Sequence, residues 1–345
     1  MNVLNSVEYK KNLHKAISSI DLSKLKDKSI LITGGLGLIC SSIVDFLIIA
    51  NTEQKLRVKI YVAARNKNAF EDRYGNYQDI YFVQYDAMKP IEWDFHLDYI
   101  IHGAGSASPE LYTKEPVETV LSNFLGIYNI LEYSKINKIT RVLYISSSEV
   151  YGSKDTEDAF VEGQYGIVNI DNIRSSYPIA KRSSEMLCKS YSSEYNVDTV
   201  IVRPGHVFGP TASRKDKRIS SEFAYKAAEG KELEMKSSGL QKRSYCYSID
   251  ATLQVLYALL YGANGEAYNI GSDDVTTIFE MASIYAKAGS VILKSTEPTK
   301  EELTAFNPMN NSSLNNSKIK ELGYREVFSA EEGFMNTVKI LKEMI

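Results

Sequence analysis

A tyrosine and a lysine four residues apart are the pair in this sequence best suited to proton transfer. Tyr177 and Lys181 begin a segment whose pattern predicts a helix over 177–195, and positions i and i+4 share one helix face. A neighbouring ammonium favours tyrosinate and lowers the pKa of a tyrosine from its usual value of about 10. The spacing therefore predicts that Tyr177 is a general base for an alcohol or sugar hydroxyl. Such a pair also arises by chance in a chain with 24 tyrosines.

A serine-rich stretch followed by a glutamate supports this interpretation. Ser147, Ser148 and Glu149 come at the end of the strand predicted over 141–146, and α/β sheets bind ligands at the carboxyl ends of their strands. A serine hydroxyl there can hydrogen-bond the substrate oxygen that Tyr177 would deprotonate. Glu149 is either part of this chemistry or a structural carboxylate near a helix start.

A glycine-rich turn lies near the start of the chain. It lies between the apolar run 29–32 and a helix predicted over 38–51. Backbone N–H groups in such a turn can approach a pyrophosphate, and the helix N-terminus adds favourable partial charge. A plain strand–helix turn is the alternative, and Cys40 stands where the usual motif has its third glycine. The residues predicted to contact a dinucleotide here are Gly34, Gly35, Leu36, Gly37 and Leu38.

Two polar residues after the next strands bear on the adenosine half of a dinucleotide. A dinucleotide site often has an acid for the ribose at the end of its second strand, but this sequence has Arg65 there. Arg65 either meets a 2′-phosphate, which would favour NADP, or is a solvated loop residue. Asp86, after the third strand, either contacts the adenine or caps its own loop.

Strands and helices alternate from Lys28 to Arg203. Nearly all the strands are apolar throughout, as expected when helices cover both faces of a parallel sheet. The pattern predicts an α/β fold with a doubly wound, Rossmann-type sheet and a smaller, mixed C-terminal domain for the substrate. The predicted parts are a helical extension over 1–27, a dinucleotide-binding domain over 28–203 with about 245–263, and a second domain over 204–244 and 264–345. The extension packs on the main domain or on a partner subunit.

Composition narrows the class of protein. The 345 residues are 44% apolar and 24% charged, and a net charge of −3 gives no footprint for nucleic acid or a membrane surface. Three distant cysteines argue against disulfides and structural zinc. The four histidines lack metal-ligand spacing, so we expect no metal. No apolar signal core is present at the N-terminus, and we expect a cytoplasmic protein.

The chain resembles the extended short-chain dehydrogenases that act on nucleotide sugars, over nearly all of its length after Lys28. Within that family it is most similar to UDP-glucuronate decarboxylases. The stretches that carry the family resemblance are Thr33-Gly34-Gly35-x-Gly37, His102-Gly103-Ala104-Gly105, Asn123-x-x-Gly126, Ser148-Glu149-Val150-Tyr151-Gly152, Tyr177-x-x-x-Lys181, Arg203-Pro204 and Phe208-Gly209-Pro210. Those that carry the decarboxylase likeness are Ser106-Ala107-Ser108-Pro109, Tyr165-Gly166-x-Val168-Asn169, Arg174-Ser175-x-Tyr177, Gly209 to Phe223 and Gln241-Lys242-Arg243-Ser244-Tyr245. The departures are Cys40 for glycine and Arg65 for an acid.

The resemblance implies NAD as cofactor, with NADP as the alternative because of Arg65. It also implies a nucleotide-sugar substrate and a homodimer formed through a helix bundle, for which the helices at 117–135 and 177–195 are the candidates. The implied cofactor contacts are the glycine turn with Arg65, Asp86, Ala104, Gly105, Asn123, Lys181, Pro204 and His206. The implied substrate contacts are Ser108, Glu149, Arg218 and Arg243.

The mechanism implied by the resemblance is a redox-neutral decarboxylation. Tyr177 takes the proton of the sugar 4-OH while C4 passes hydride to the nicotinamide, and Ser147 or Ser148 holds O4. Lys181 holds the cofactor ribose. A ketone at C4 makes the C5 carboxylate a β-keto acid, which loses CO2 readily, and Glu149 and Arg243 manage the carboxylate and the replacing proton. The hydride then returns to C4.

Other functions remain open at this level. A nucleotide-sugar 4-epimerase, a 4,6-dehydratase or a reductase would use the same tyrosine and lysine. Dehydratases of the family usually have an Asp-Glu pair after the serine or threonine, and this chain has Ser148-Glu149. A catalytically silent dinucleotide-binding sensor or scaffold is the alternative from another class, kept open by Cys40 and Arg65.

Overall fold

The computed structural model describes residues 2–154, 157–296 and 310–345. Seven parallel strands form a central sheet in the order β10-β6-β5-β4-β1-β2-β3. The strands are β1 Ser29–Thr33, β2 Lys59–Ala64, β3 Ile80–Gln84, β4 Tyr99–His102, β5 Arg141–Ile145, β6 Thr199–Pro204, β7 His206–Phe208, β8 Leu233–Met235, β9 Lys242–Tyr247, β10 Ala267–Ile270, β11 Val275–Thr277 and β12 Leu293–Ser295. The order of strands reverses between β1 and β4, where a doubly wound sheet opens its ligand crevice.

Helices cover both faces of this sheet. On one face α5 packs against α6, and on the other α2 packs against α8. The helices are α1 Val7–Ile17, α2 Leu38–Gln54, α3 Lys67–Tyr74, α4 Pro109–Lys114, α5 Pro116–Asn137, α6 Ser176–Tyr195, α7 Ile219–Ala228, α8 Ser248–Tyr261, α9 Ile278–Gly289, α10 Ser317–Glu321 and α11 Ala330–Met344. Successive residues of β1 point into opposite cores, Ile30 and Ile32 into one and Leu31 into the other. The predicted α/β class with a Rossmann-type sheet is confirmed.

A smaller unit rises beyond the carboxyl end of β6. It contains a three-stranded sheet in the order β11-β9-β7 and a two-stranded sheet of β8 and β12, with α7, α9 and α11 packed together beside them. The central sheet extends further along the chain than the sequence indicated. Strand β10 pairs with β6, although it lies just beyond the domain boundary expected near residue 263. The sequence analysis did not predict this strand, because a run of four residues is too short to stand out.

The N-terminal extension is part of the main core. Helix α1 packs on α2, α8 and α11, and its residues Leu13, Ala16 and Ile17 are buried. A cluster that we call the Asp45 cluster joins α1, α2 and α3. Asp45 accepts hydrogen bonds from the Tyr9 hydroxyl at 3.1 Å, the Tyr74 hydroxyl at 3.2 Å and the Arg73 guanidinium at 2.6 Å.

Two features that would indicate other functions are not found in the described residues. No helix among them combines the length and apolar character needed to cross a bilayer. In residues 2–154, 157–296 and 310–345, no three His, Cys, Asp or Glu side chains are placed to hold a metal ion. All three cysteines are buried thiols without a disulfide.

Candidate functional site

Tyr177 lies in the first turn of α6, where the helix meets the carboxyl ends of the strands. Its side chain is 5% exposed. Its ring stacks on the ring of Tyr112, with centroids 4.2 Å apart and planes inclined by 7°. The side chains of Ser147 and Tyr112 lie close enough to the Tyr177 hydroxyl to lower its pKa. Tyr177 and Ser147, predicted from separate motifs, are thus brought together, and Tyr112 is a partner that the sequence analysis missed.

The electrostatics of Tyr177 differ from the prediction. Burial, with the nearby charge of Glu149, raises the pKa of Tyr177 to about 12, and Arg218 opposes that rise. Lys181 lies 5.8 Å from the Tyr177 ring centroid and donates to the carbonyl of Ile145 at 2.9 Å. The prediction that Lys181 brings the tyrosine pKa below 10 is not met in this structure, because burial of the phenol outweighs the other effects.

Lys181 is itself strongly perturbed. Burial lowers its pKa to about 8, because an ammonium loses hydration in a closed site. Its ammonium also lies 4.7 Å from the centroid of the Tyr144 ring. Lys181 is therefore a cation held between α6 and the carboxyl end of β5, on the side of the sheet where ligands bind.

Glu149 is held by an arginine that the sequence analysis gave no role. The Arg174 guanidinium donates to both carboxylate oxygens, at 3.1 and 3.2 Å. Burial raises the pKa of Glu149, and Arg174 opposes that rise. Arg174 also lies 5.8 Å from the centroid of the Tyr112 ring. The sequence analysis noted the Arg174-Ser175-x-Tyr177 stretch, but that stretch did not predict a contact between Arg174 and Glu149.

The serines after β5 divide their roles. The Ser147 hydroxyl accepts from the Glu149 backbone N–H at 3.2 Å and so caps the short 3-10 turn Ser148–Tyr151. Ser148 is the first residue of that turn and is partly exposed. Ser147 is the serine whose side chain acts on the pKa of Tyr177, and that Ser147 or Ser148 holds the substrate oxygen stays a prediction.

The glycine turn has the backbone that a pyrophosphate requires. Gly34 has φ +70°, and a Cβ at Gly35 would come within 2.7 Å of Val62 Cγ1. Gly37 is the N-cap of α2, and in the described part of the chain no side chain caps that helix. The first turn of α2 also contains no acidic residue. The helix N-terminus can therefore meet an anion.

Cys40 fits at the third glycine position because the residue facing its sulfur, Gly103, has no side chain. A Cβ at Gly103, after β4, would overlap the Cys40 sulfur. The close approach of helix and strand that the third glycine normally permits is thus preserved, with the thiol occupying the space above Gly103. Burial raises the pKa of Cys40 to about 12, so this cysteine is a packing residue.

The loop after β4 is built on Thr33. Its hydroxyl accepts from the backbone N–H groups of Gly103 and Ala104, each at 3.1 Å. It therefore donates its proton to His102 Nδ1 at 2.8 Å. His102 is accordingly neutral with its proton on Nε2, and burial lowers its pKa to about 3. His102 thus helps to orient, through Thr33, the loop that contains Ala104 and Gly105.

Asn123 on α5 faces the same loop. Its amide nitrogen donates to the carbonyl of Ser106 at 3.1 Å, and a Cβ at Gly105 would overlap its Oδ1. That Oδ1 is buried and has no hydrogen-bond partner among the described residues. Asn123 thus presents an unused acceptor close to the glycine turn.

Arg65 and Asp86 lie elsewhere, at the ends of β2 and β3. Both line a cavity of about 300 Å³ with Lys89 and Trp93 among its other walls. Asp86 accepts from the Met88 backbone N–H at 3.1 Å, which is the loop-capping interpretation, and still faces the cavity. Arg65 and Lys89 give this cavity two cationic side chains.

In the smaller unit, Arg218 and Arg243 lie close enough to His206 for their charges to act on it. His206 is neutral, because burial and the charges of Arg243 and Arg218 lower its pKa to about 3. Arg218 donates from Nε to Asp216 at 3.0 Å, and Arg243 on β9 is buried and donates to the Lys242 carbonyl at 2.8 Å. The predicted cofactor residue His206 thus sits beside two predicted substrate residues.

Ser108 and Pro204 lie at the ends of elements around the site. Ser108 is the exposed N-cap residue of α4, the helix that contains Tyr112. Pro204 ends β6, directly before the turn to His206. Ser108 is exposed, whereas Pro204 is buried.

The residues present fit a bound dinucleotide. Four buried polar atoms near the strand ends have no partner within the described part of the chain: Asn123 Oδ1, Ser106 Oγ, Ser146 Oγ and His206 Nδ1. Buried polar atoms normally find partners, so this set and the uncapped α2 indicate a ligand with many polar groups. Gly34 to Leu38 would hold its pyrophosphate, and Asn123 and Lys181 would meet its other half.

Comparisons with known proteins agree with this geometry. The model of the NAD dependent epimerase/dehydratase family matches residues 30–271. The chain is 31% identical over 280 residues to UDP-glucuronic acid decarboxylase 4 of Arabidopsis thaliana, covering 81% of this chain and 61% of that protein. It is 30% identical over 307 residues to UDP-glucuronic acid decarboxylase 3 of the same plant, covering 88% and 86%. The chain thus spans only about 61% of the length of several curated relatives it matches.

A solved structure shows the same fold. UDP-glucuronic acid 4-epimerase from Bacillus cereus, in complex with UDP-glucuronic acid and NAD, superposes with a TM-score of 0.75. The alignment covers 92% of this chain and 100% of that chain at 20% identity. At that identity the likeness concerns the fold.

Proposed function

The chain belongs to the NAD dependent epimerase/dehydratase family, and we propose that it decarboxylates UDP-glucuronate to UDP-xylose through transient oxidation of C4. The observation that carries the proposal is the placement of Tyr177. This buried phenol stacks on Tyr112, and its pKa responds to the side chains of Ser147 and Glu149, the carboxylate that Arg174 binds. The likeness to named UDP-glucuronic acid decarboxylases supports the choice of substrate.

Proton transfer at O4 is the task of Tyr177. NAD, when bound, supplies the group that accepts hydride from C4 and later returns it. Tyr177 takes the O4 proton as the carbonyl forms and gives it back when the carbonyl is reduced, while the Ser147 hydroxyl holds O4. Because burial raises the pKa of Tyr177 to about 12, its tyrosinate needs nearby positive charge, which Arg218 and Lys181 provide in this site.

Loss of CO2 follows from the chemistry of the keto acid. With a carbonyl at C4, the C5–carboxylate bond breaks and its electron pair passes into an enolate whose oxygen is O4. The donors at O4, Tyr177 and Ser147, stabilise that developing charge. A proton from solvent must then reach C5, and we assign its guidance to the Glu149 carboxylate, which is paired with Arg174.

The two parts of the chain divide the ligands between them in this proposal. Residues 28–203 with about 245–263 bind the dinucleotide, and residues 204–244 and 264–345 bind the nucleotide sugar through Arg218 and Arg243. NAD is the cofactor that we propose, and Arg65 and Lys89 at the cavity wall are the observation that keeps NADP as its competitor.

A homodimer through α5 and α6 is part of the same proposal. These helices pack side by side on one face of the sheet. The two helices expose six large apolar side chains, which are Val117, Leu121, Tyr128, Ile136, Met186 and Tyr195. A second copy of this helix pair would cover them.

Product analysis tests the reaction. The purified protein is incubated with UDP-glucuronate, with and without added NAD or NADP, and the nucleotide sugars and CO2 are measured by mass spectrometry. We expect UDP-xylose and CO2 in equal amounts, with no net change in the redox state of the cofactor. Formation of UDP-galacturonate without CO2 would identify a 4-epimerase instead. Turnover of only a neutral nucleotide sugar would reject the decarboxylase while keeping the family.

A further inference from the structure

The contact between Arg174 and Glu149 has a consequence for which sugars the site accepts. We propose that Arg174 is the internal counter-ion of Glu149 and thereby sets the preference of the site for an acidic over a neutral nucleotide sugar. This inference rests on the proposed function, since it concerns the same substrate carboxylate. Arg174 acts through Glu149 and is a positioning residue.

The geometry of the pair is specific. Two nitrogens of one guanidinium meet two oxygens of one carboxylate, at 3.1 and 3.2 Å, the fork arrangement that an arginine makes and a lysine cannot. The Arg174 side chain is 40% exposed and that of Glu149 is 26% exposed. The pair is therefore accessible to solvent and is not sealed in the core.

The backbone around Arg174 holds the guanidinium in place. The Arg174 N–H donates to the Asn172 side chain at 3.0 Å, which caps the 3-10 turn Ile173–Ser175. The guanidinium carbon lies 5.8 Å from the centroid of the Tyr112 ring, which stacks on Tyr177. Arg174 is thus positioned on one side by Glu149 and on the other by the ring next to the proposed base.

The carboxylate of the substrate must come close to Glu149. Tyr177 meets O4, and the carboxylate is attached to the neighbouring carbon, C5. The charge of Glu149 in turn raises the pKa of Tyr177. Two carboxylates in one partly buried site repel each other, so that one of them is protonated or excluded unless a cation lies between them.

Arg174 removes this repulsion before the substrate arrives. Three carboxylates of this region are paired internally: Glu149 with Arg174, Asp216 with Arg218, and Glu185 with Arg203. Two further cations are Lys181, 5.8 Å from the Tyr177 ring centroid, and Arg243, whose charge acts on His206, so the site keeps a net positive charge toward an acidic ligand. Without Arg174, Glu149 would become the nearest unneutralised charge and would oppose that ligand. A neutral sugar would be affected much less.

Ligand binding separates this role from a merely structural one. The protein, loaded with NAD, is titrated with UDP-glucuronate and with UDP-glucose by calorimetry, for wild type, Arg174→Gln and Arg174→Gln/Glu149→Gln. We expect Arg174→Gln to weaken UDP-glucuronate binding about tenfold or more, and UDP-glucose binding less than about threefold, as for loss of a charge-assisted contact. The double variant should recover most of the lost affinity for UDP-glucuronate, because the unneutralised carboxylate is gone.

Two further variants guard against trivial explanations. Arg57→Gln breaks a bidentate pair with Asp27 of similar geometry, at 2.6 and 2.7 Å, far from the cleft, and should change neither affinity. Arg174→Lys keeps the charge without the fork and should lie between wild type and Arg174→Gln. If Arg174→Gln fails to fold, this lysine variant decides the test, with a preference for UDP-glucuronate below that of wild type.

The outcomes that overturn the inference are distinct from those that overturn the function. Equal loss of affinity for both ligands in Arg174→Gln, or no recovery in the double variant, would show that Arg174 only supports the loop. A wild-type protein that binds UDP-glucose as tightly as UDP-glucuronate and releases no CO2 would reject the proposed function itself. A wild type that prefers the acid, with the preference intact in Arg174→Gln, rejects the inference alone.

Discussion

Two clusters in this protein are made of the same kinds of side chain: one carboxylate, one arginine and two tyrosines. The Asp45 cluster ties the N-terminal helix to the sheet domain. The second, which we call the Glu149 cluster, lies at the carboxyl ends of the strands. Their members are Asp45, Arg73, Tyr9 and Tyr74 in the first, and Glu149, Arg174, Tyr112 and Tyr177 in the second.

The clusters differ in where their donors point. In the Asp45 cluster both hydroxyls and the guanidinium donate to one carboxylate, which is 0% exposed. Among the members of the Glu149 cluster, only Arg174 binds the carboxylate, and the side chains that lower the pKa of Tyr177 include Ser147 and Tyr112. Because all the donors of the Asp45 cluster bind one carboxylate, we interpret that cluster as structural. In the Glu149 cluster the Tyr177 phenol is not bound to the carboxylate, so its proton is available for exchange.

The largest expected effect comes from removing one hydroxyl in each cluster. Tyr177→Phe should lower the turnover of UDP-glucuronate by about 10²–10⁴-fold, the usual contribution of a general acid–base group, with little change in thermal unfolding. Tyr74→Phe should leave turnover per folded molecule unchanged. It should cost about 1–3 kcal/mol of stability, because it removes a hydrogen bond to a buried carboxylate. Measurable decarboxylation at near wild-type rate by Tyr177→Phe would remove Tyr177 from its proposed role.

Replacing the carboxylate of each cluster by an amide compares the stability that Asp45 and Glu149 contribute. Asp45→Asn leaves Arg73 largely buried without its counter-ion and should cost about 3 kcal/mol in the free energy of unfolding. Glu149→Gln frees an arginine that is already 40% exposed, so its unfolding free energy should change by less than about 1 kcal/mol. Its decarboxylation rate should nevertheless fall. Denaturant unfolding and CO2 release measure the two effects, and a large stability loss in Glu149→Gln would make that cluster structural as well.

Local patterns explain which parts of the site the sequence revealed. The glycine turn, Ser147 and Tyr177 each sit at the end of a strand or the start of a helix, and their motifs lie within a few residues along the chain. Tyr112 could not be found that way, because it reaches Tyr177 only through the packing of α4 against the start of α6. The Arg174–Glu149 pair likewise joins two loops 25 residues apart.

Energetics were harder to predict than positions. The i, i+4 spacing placed Lys181 near Tyr177, as the structure shows, but spacing carries no information on burial. Burial raises the pKa of Tyr177 and lowers that of Lys181, so their electrostatic relation depends on the surrounding fold. The sheet domain followed from apolar strands and alternating helices, whereas β7 and β8 have only three residues each and β9 mixes polar and apolar residues.

Helix α2 links the two regions, since it contains Asp45 and, in its first turn, Cys40 beside the glycine turn. Gly103→Ala should cost about 1–2 kcal/mol, because the added methyl overlaps the Cys40 sulfur. Cys40→Gly alone should cost about 1 kcal/mol through the lost packing and the glycine in the helix. In the double variant the methyl fills the space left by the sulfur, so the two costs should fall short of additivity by about 0.5–1 kcal/mol. Denaturant unfolding of the four proteins measures this coupling, with NAD affinity followed in parallel. Additive costs would mean that the thiol and Gly103 do not compensate each other, and that α2 tolerates Cys40 by shifting away from the sheet.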